Sequence, residues 1–140
     1  MSQPWKPHPY QSKAVRFGVE RMTAGFFLDP GLGKTGISYA ILKVLRKAGM
    51  AERMLVIAPL RPAQSTWPRE AQKWTDFKEL NVHVLHGAHK QQLLEQPHDV
   101  SVINPEGLAW LLGGEEQQPV LDKAGKPVID PRTGGPKTRT

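Results

Sequence analysis

The segment Asp29-Pro30-Gly31-Leu32-Gly33-Lys34-Thr35 constrains this chain more than any other. It stands between a short apolar run, Gly25-Phe26-Phe27-Leu28, and a helix-periodic stretch that starts at Lys34. Glycines let a main chain approach a polyphosphate closely, so that several backbone N–H groups point at the anion. A helix that follows adds the positive end of its dipole. The pattern G-x-x-x-x-G-K-[ST] is met except at its first glycine position, which holds Leu28. The other reading is a glycine-rich turn ending in an ordinary surface lysine. A strand before the turn and an amphipathic helix after it favour the phosphate-binding reading.

Those flanks belong to a rhythm of apolar strands followed by helices. Gly25–Asp29 reads as a short buried strand. From Lys34 to Ala48, residues Ile37, Ala40, Ile41, Val44, Leu45 and Ala48 form one helical stripe, closed by Gly49 at the C-terminal cap. Arg53 to Ala58 is almost wholly apolar, as expected of a strand covered on both faces. Trp67, Ala71 and Trp74 share a helix face, with Pro68 in the first turn and Ser65 or Thr66 as N-cap. Asn81 to Leu85 reads as a third strand and Gly87 to Gln96 as a short helix with Leu93 and Leu94 inward. Asp99 to Ile103 reads as a fourth strand. Asn104 (N-cap), Pro105, Glu106 and Gly113 then bracket a helix carrying Leu108, Leu111 and Leu112. Strands alternating with helices predict an α/β fold, a parallel sheet with flanking helices and right-handed crossovers.

From Gly113 the periodicity stops, with five Gly and four Pro in residues 113–140. The expected organisation is therefore a lobe over 1–112 and an insertion or tail over 113–140. A hairpin about Ala124-Gly125 is possible there, and Arg132 to Thr140 is expected to be disordered.

Composition excludes several classes. Cys is 0, which removes disulfides, thiol catalysis and cysteine-ligated metals. No apolar run is long enough to span a bilayer or to act as a secretory leader, so a cytoplasmic protein with no membrane partner is expected. The net charge is +6, and residues 1–112 carry 14 Lys and Arg against 9 Asp and Glu. A basic body of this kind suits a polyanion partner.

Upstream, Pro9-Tyr10-Gln11 offers a glutamine amide, whose donor and acceptor match the N6 and N7 edge of adenine. The alternative is a surface glutamine beginning a helix. Together with His8, Leu28 to Thr35, Val56 to Arg61, Trp67, Lys73-Trp74, His86-Gly87 and Val102 to Leu108, it completes an ordered set over residues 7–112. That set resembles the start of a superfamily 2 helicase. It is most similar to the Swi/Snf-type DNA translocases and their compact bacteriophage relatives.

The resemblance implies the N-terminal part of a first RecA-like motor lobe that binds ATP and Mg²⁺. Gln11 would read adenine. Asp29, Pro30, Gly31, Leu32, Gly33, Lys34, Thr35 and Gly36 would form the ATP phosphate loop. Lys34 would reach the β- and γ-phosphates, and the Thr35 hydroxyl would bind Mg²⁺. Arg61 and Asn104 would lie against the backbone of a nucleic acid, DNA by this resemblance. A solvated loop arginine and a helix-capping asparagine explain the same two residues.

Such a motor also needs an Asp-Glu pair at the end of a buried strand. Glu115-Glu116, Asp122 and Asp130 are the candidates, and none follows a convincing apolar run. The expectation is a segment inactive by itself, part of a larger ATP-driven motor. The competing expectation is a non-catalytic half-motor that holds DNA or a partner. A small phosphate-loop kinase fits the length, but it lacks an arginine-rich lid and leaves Pro9-Tyr10-Gln11 unexplained. His83, His86 and His89 invite a metal, yet no carboxylate joins them. Trp67 and Trp74 are base-stacking candidates, but their helical spacing reads as core.

Overall fold

The structure is a computed structural model that describes residues 2–21, 23–113, 118–119, 122–129 and 138–139. The chain divides into two compact units, Met1–Pro105 and Glu106–Thr140. In the first, α1 (Pro9–Glu20) is followed by α2 (Lys34–Lys47), β1 (Met54–Ile57), α3 (Leu60–Gln64), α4 (Thr66–Lys73), β2 (Val82–Val84), α5 (Lys90–Glu95) and β3 (Val100–Ile103). The three strands form one parallel sheet in the order β1-β3-β2, as the strand–helix rhythm requires. No helix among the described residues is long and apolar enough to cross a membrane.

Local chemistry explains the boundaries. Pro9 opens α1 at a position whose N–H has no helical acceptor. At the end of α2, Gly49 takes φ +72, Gly49 N–H bonds to Arg46 O at 3.0 Å, and Met50 N–H bonds to Leu45 O at 2.8 Å. That pair of bonds is a Schellman closure, which needs the left-handed residue that glycine supplies. Ser65 precedes α4, but its hydroxyl donates back to Arg61 O at 2.9 Å instead of capping the helix. The short helix α3 had no signal in the sequence.

The core gathers Tyr39 and Leu42 of α2, Val56 of β1, Ala63 of α3, Ala71 of α4, Phe77, Leu80, and Val100 and Val102 of β3. Trp67 and Trp74 pack against it half-buried, as their spacing predicts. The buried face of α2 is turned from the expected stripe: Tyr39 is wholly buried, whereas Val44 is 43% exposed. Tyr39 can lie there because its hydroxyl donates to Trp67 O at 2.7 Å, which satisfies its polar end.

Three expectations are corrected here. Residues 24–29 form no strand, and the Phe27 side chain stands fully in solvent. A strand exists only with a ladder partner, and among the described residues β1, β2 and β3 pair only with one another. Leu55 and Ile57 are half exposed, so β1 is covered on one face and not on both. Asn104 does not cap an α-helix: Pro105–Gly107 is a 3₁₀ turn, and α6 (Leu108–Leu111) starts after Gly107.

In the second unit, Gly113 takes φ +83 after α6 as a cap glycine should, but Leu112 is exposed rather than inward. The expected turn is present. Asp122 N–H bonds to Lys126 O at 2.8 Å, with Gly125 at φ +79. Thr138–Arg139 pairs antiparallel with Gln118–Pro119, which corrects the expectation of disorder for those two residues. The hairpin flanks Val120, Leu121 and Asp130, together with residues 132–137, lie outside the described residues.

Candidate functional site

The Asp29–Thr35 segment is built as a loop running into a helix. Gly31 and Gly33 both take positive φ, +84 and +75, and Gly33 is the residue that precedes α2. Side chains with a Cβ disfavour that conformation, so glycine is required twice. Ile37 N–H reaches back to Gly33 O at 3.1 Å, which closes the first turn. The N–H groups of Lys34, Thr35 and Gly36 belong to that turn, where a helix offers them no acceptor of its own.

Around the loop lies a cleft of about 850 Å³. Pro30 to Gly36 line one side; Ala58, Pro59 and Pro62, beyond the end of β1, line another. The remaining wall comes from Trp5, His8, Tyr10 and Gln11 and from Thr66, Trp67, Glu70, Lys73 and Trp74 of α4 and its end. The Asp29–Thr35 loop thus opens at the carboxyl end of a parallel strand, where α/β sheets bind ligands. A second hollow, of about 500 Å³, is lined by Lys43, Arg46 and Lys47. Two of its three cations are in ion pairs, Lys43 with Glu79 at 2.9 Å and Arg46 with Asp99 at 3.0 Å.

Gln11 is buried, and its amide is engaged on both sides. Oε1 accepts His8 N–H at 2.8 Å, and Nε2 donates to Leu32 O at 3.3 Å. The Tyr10 hydroxyl donates to the same carbonyl at 2.9 Å. The start of α1 is therefore fastened to the Asp29–Thr35 loop. Each amide atom keeps one further hydrogen-bonding position, so contact with a base edge is compatible with this arrangement.

Asp29, Pro30, Gly31, Leu32, Gly33, Lys34, Thr35 and Gly36 are contiguous, and all but Asp29 line the cleft with Gln11. Arg61 and Asn104 do not line it. Arg61 is exposed on α3 just past β1, and Asn104 is buried immediately past β3. Ala58 N–H bonds to Ile103 O at 3.0 Å, so both residues sit at the same end of the sheet.

Sequence reasoning missed Trp5, Glu70 and Lys73 as cleft residues. Glu70 carried no motif signal as a ligand; its carboxylate accepts Trp74 Nε1–H at 3.0 Å and lies 3.9 Å from Lys73 Nζ. It also acts on Tyr39. Burial, and then the Glu70 charge, push the Tyr39 hydroxyl well above the usual tyrosine value.

The remaining candidates resolve simply. His83 Nδ1–H donates to Leu93 O at 2.8 Å, and the ring stacks on buried His98 with centroids 4.8 Å apart. His86 and His89 are exposed, and no group of three metal-ligating side chains occurs among the described residues. Of the acidic candidates, Asp122 spends its carboxylate on the N–H groups of Ala124 and Lys126, at 2.8 and 2.9 Å. Glu115, Glu116 and Asp130 lie outside the described residues.

Comparison with known proteins agrees with this geometry. The profile of the SNF2-related domain matches residues 10–117. Protein p41 of Acyrthosiphon pisum secondary endosymbiont phage 1 is 34% identical over 110 residues, 76% of this chain and 24% of that protein. Chromodomain-helicase-DNA-binding protein 8 of Danio rerio is 34% identical over 79 residues, 56% of this chain and 3% of its own. Among solved structures, the Sulfolobus solfataricus SWI2/SNF2 ATPase core in complex with dsDNA superposes with a TM-score of 0.59 at 25% identity. The match covers 71% of this chain and 21% of that one. This chain thus spans about a quarter or less of each relative.

Proposed function

The chain belongs to the SNF2-related domain family, and on that premise we propose that it is the ATP-binding part of an ATP-dependent DNA translocase or helicase. The observation that carries the proposal is the loop with two left-handed glycines, which leads into α2 at the cleft floor. In this reading Gly31, Gly33 and the first turn of α2 wrap the phosphates, and Lys34 neutralises their outer oxygens. Mg²⁺ fits the donors present, because it takes most of its ligands from phosphate oxygens and water and needs one hydroxyl here. Thr35 supplies that hydroxyl. Asp29 and Pro30 set the entry to the loop, and Gln11 faces the base.

Arg61 and Asn104, at the carboxyl ends of β1 and β3, are assigned to the phosphodiester backbone of DNA. The relative solved with dsDNA supports that assignment, as does the basic surplus of residues 1–112. In the larger protein, hydrolysis would drive movement along the nucleic acid. The surplus of charge equally favours a second reading, in which this chain holds DNA without turning over ATP.

Titration of the chain with Mg–ATP tests the first reading. Binding by the native chain and its loss in Lys34→Ala are expected; equal binding by both would overturn it. Turnover of ATP stimulated by DNA would reject the non-catalytic reading. Binding of DNA that weakens steeply with salt, with no turnover, would favour it.

A further inference from the structure

We infer that residues 2–11 form a clasp around the phosphate loop, with Trp5 as the positioning residue that holds the first turn of α2. This rests on the phosphate-loop reading above and assigns a function to a segment in which the sequence shows no motif before His8.

The clasp grips at two places. On one side, Tyr10 and Gln11 bind Leu32 O, as described. On the other, the Trp5 indole lies against Gly36, one residue beyond Thr35. A Cβ built on Gly36 would stand 3.2 Å from Trp5 Nε1. The missing side chain at 36 is therefore the space that the indole occupies. Three of these ten residues touch the loop and the turn after it, Tyr10 and Gln11 at Leu32 and Trp5 at Gly36, and Trp5, Tyr10, Gln11 and Gly36 all line the cleft.

The clasp is anchored on the stretch from Lys73 to Phe77, at the end of α4 and just past it. Gln3 forms a parallel bridge with Trp74 through Gln3 N–H to Lys73 O at 3.2 Å and Thr75 N–H to Gln3 O at 2.9 Å. Trp5 N–H donates to the Asp76 carboxylate at 2.6 Å. The Trp5 ring rests on Phe77 with centroids 5.2 Å apart; Phe77 rests on Tyr39 at 5.7 Å and Tyr39 on Trp67 at 5.4 Å. This row of rings backs the indole with the core.

Fixing a strap without regular structure costs backbone entropy at every residue. Pro4, Pro7 and Pro9 lower that cost because their φ is set before folding. A segment ordered in this way is an expensive ornament unless it holds something. What it holds is the turn that carries Lys34 and Thr35.

The test uses the whole chain, native and as Trp5→Ala, Trp5→Phe, Asp76→Ala and Lys34→Ala. Two readouts are taken: amide hydrogen exchange at residues 37–39, the first N–H groups of α2 with helical acceptors, and affinity for Mg–ATP. Trp5→Ala is expected to speed exchange at 37–39 and to weaken Mg–ATP about tenfold, the size expected when a binding group loses its support. Asp76→Ala, which frees the strap without entering the cleft, should do the same. Trp5→Phe should restore most of both.

Unchanged exchange and unchanged affinity in Trp5→Ala and Asp76→Ala would overturn the clasp. If Trp5→Ala fails to fold, Asp76→Ala and Trp5→Phe decide alone. If the native chain ignores Mg–ATP, or Lys34→Ala binds it equally, the nucleotide reading fails. Exchange at 37–39 then decides whether the clasp exists, and the positioning role toward nucleotide is rejected.

Discussion

Gln11 and Leu32, 21 residues apart, are joined by a hydrogen bond from a buried side-chain amide to a main-chain carbonyl at 3.3 Å. The bond couples the start of α1 to the middle of the Asp29–Thr35 loop. The same glutamine holds His8 N–H, so its placement is fixed by the helix it opens. A change of loop conformation must therefore move Gln11, and a change at Gln11 must reach the loop.

Removing Gln11 should cost about 1–2 kcal/mol of stability, the size of a lost helix-start bond together with a lost buried contact. Tyr10→Phe should cost less, because its hydroxyl is exposed. The two substitutions together should exceed their sum by about 0.5 kcal/mol or more, since both donors to Leu32 O are then gone. A double-mutant cycle in urea measures this. Strict additivity would show that the carbonyl finds water instead.

Gly31 and Gly33 share a left-handed backbone but not their surroundings. A Cβ on Gly31 would meet nothing within 4 Å, whereas one on Gly33 would collide with Gln11 Nε2. Gly31→Ala should therefore cost only the conformational term, about 1–2 kcal/mol. Gly33→Ala should cost clearly more, because it also displaces Gln11. Equilibrium unfolding of the two variants compares them directly.

The pattern of residues announces some of these features and hides others. The parallel sheet, α2 and its Gly49 closure, and the glycine turn before α2 follow from local signals: apolar runs, a 3.6-residue stripe, and glycines where the backbone needs them. Gly25–Asp29 reads as a strand because apolar composition is local, but a strand is made by its partner, and none pairs with this segment among the described residues. Trp5, Phe77 and Leu80 sit in stretches without periodicity, and only the tertiary packing reveals their place. Tyr39 was passed over because its polar end disguises a ring that is wholly buried. Gln11 stood out as a base reader, whereas its fastening to Leu32 depends on the loop's return beside α1.

Tyr39 should make the protein sensitive to alkali. Burial and Glu70 raise its folded value above the unfolded value of about 10. The native state then binds more protons than the unfolded state above that pH, so stability falls as pH rises further. The contribution is complete below about pH 10 and is lost progressively above it. Tyr39→Phe should flatten this alkaline decline. It should also cost about 1–2 kcal/mol at neutral pH, because Trp67 O loses its donor. Chemical denaturation at pH 8 and pH 11 shows both effects.

Neighbouring residues on β1 should respond in opposite ways. Val56 is 7% exposed and packs in the core, whereas Leu55 is 50% exposed and Ile57 51%. Register places Leu55 beside Ser101 and Ile57 beside Ile103, so both project from the face opposite Val56. Val56→Ala should cost about 1.5–3 kcal/mol, the full burial of a valine side chain. Leu55→Ala removes a larger side chain but should cost under about 1 kcal/mol, because half of its surface is already in water. Thermal unfolding of the two variants settles the order. A larger loss at Leu55 would mean that the second face of β1 is covered in solution.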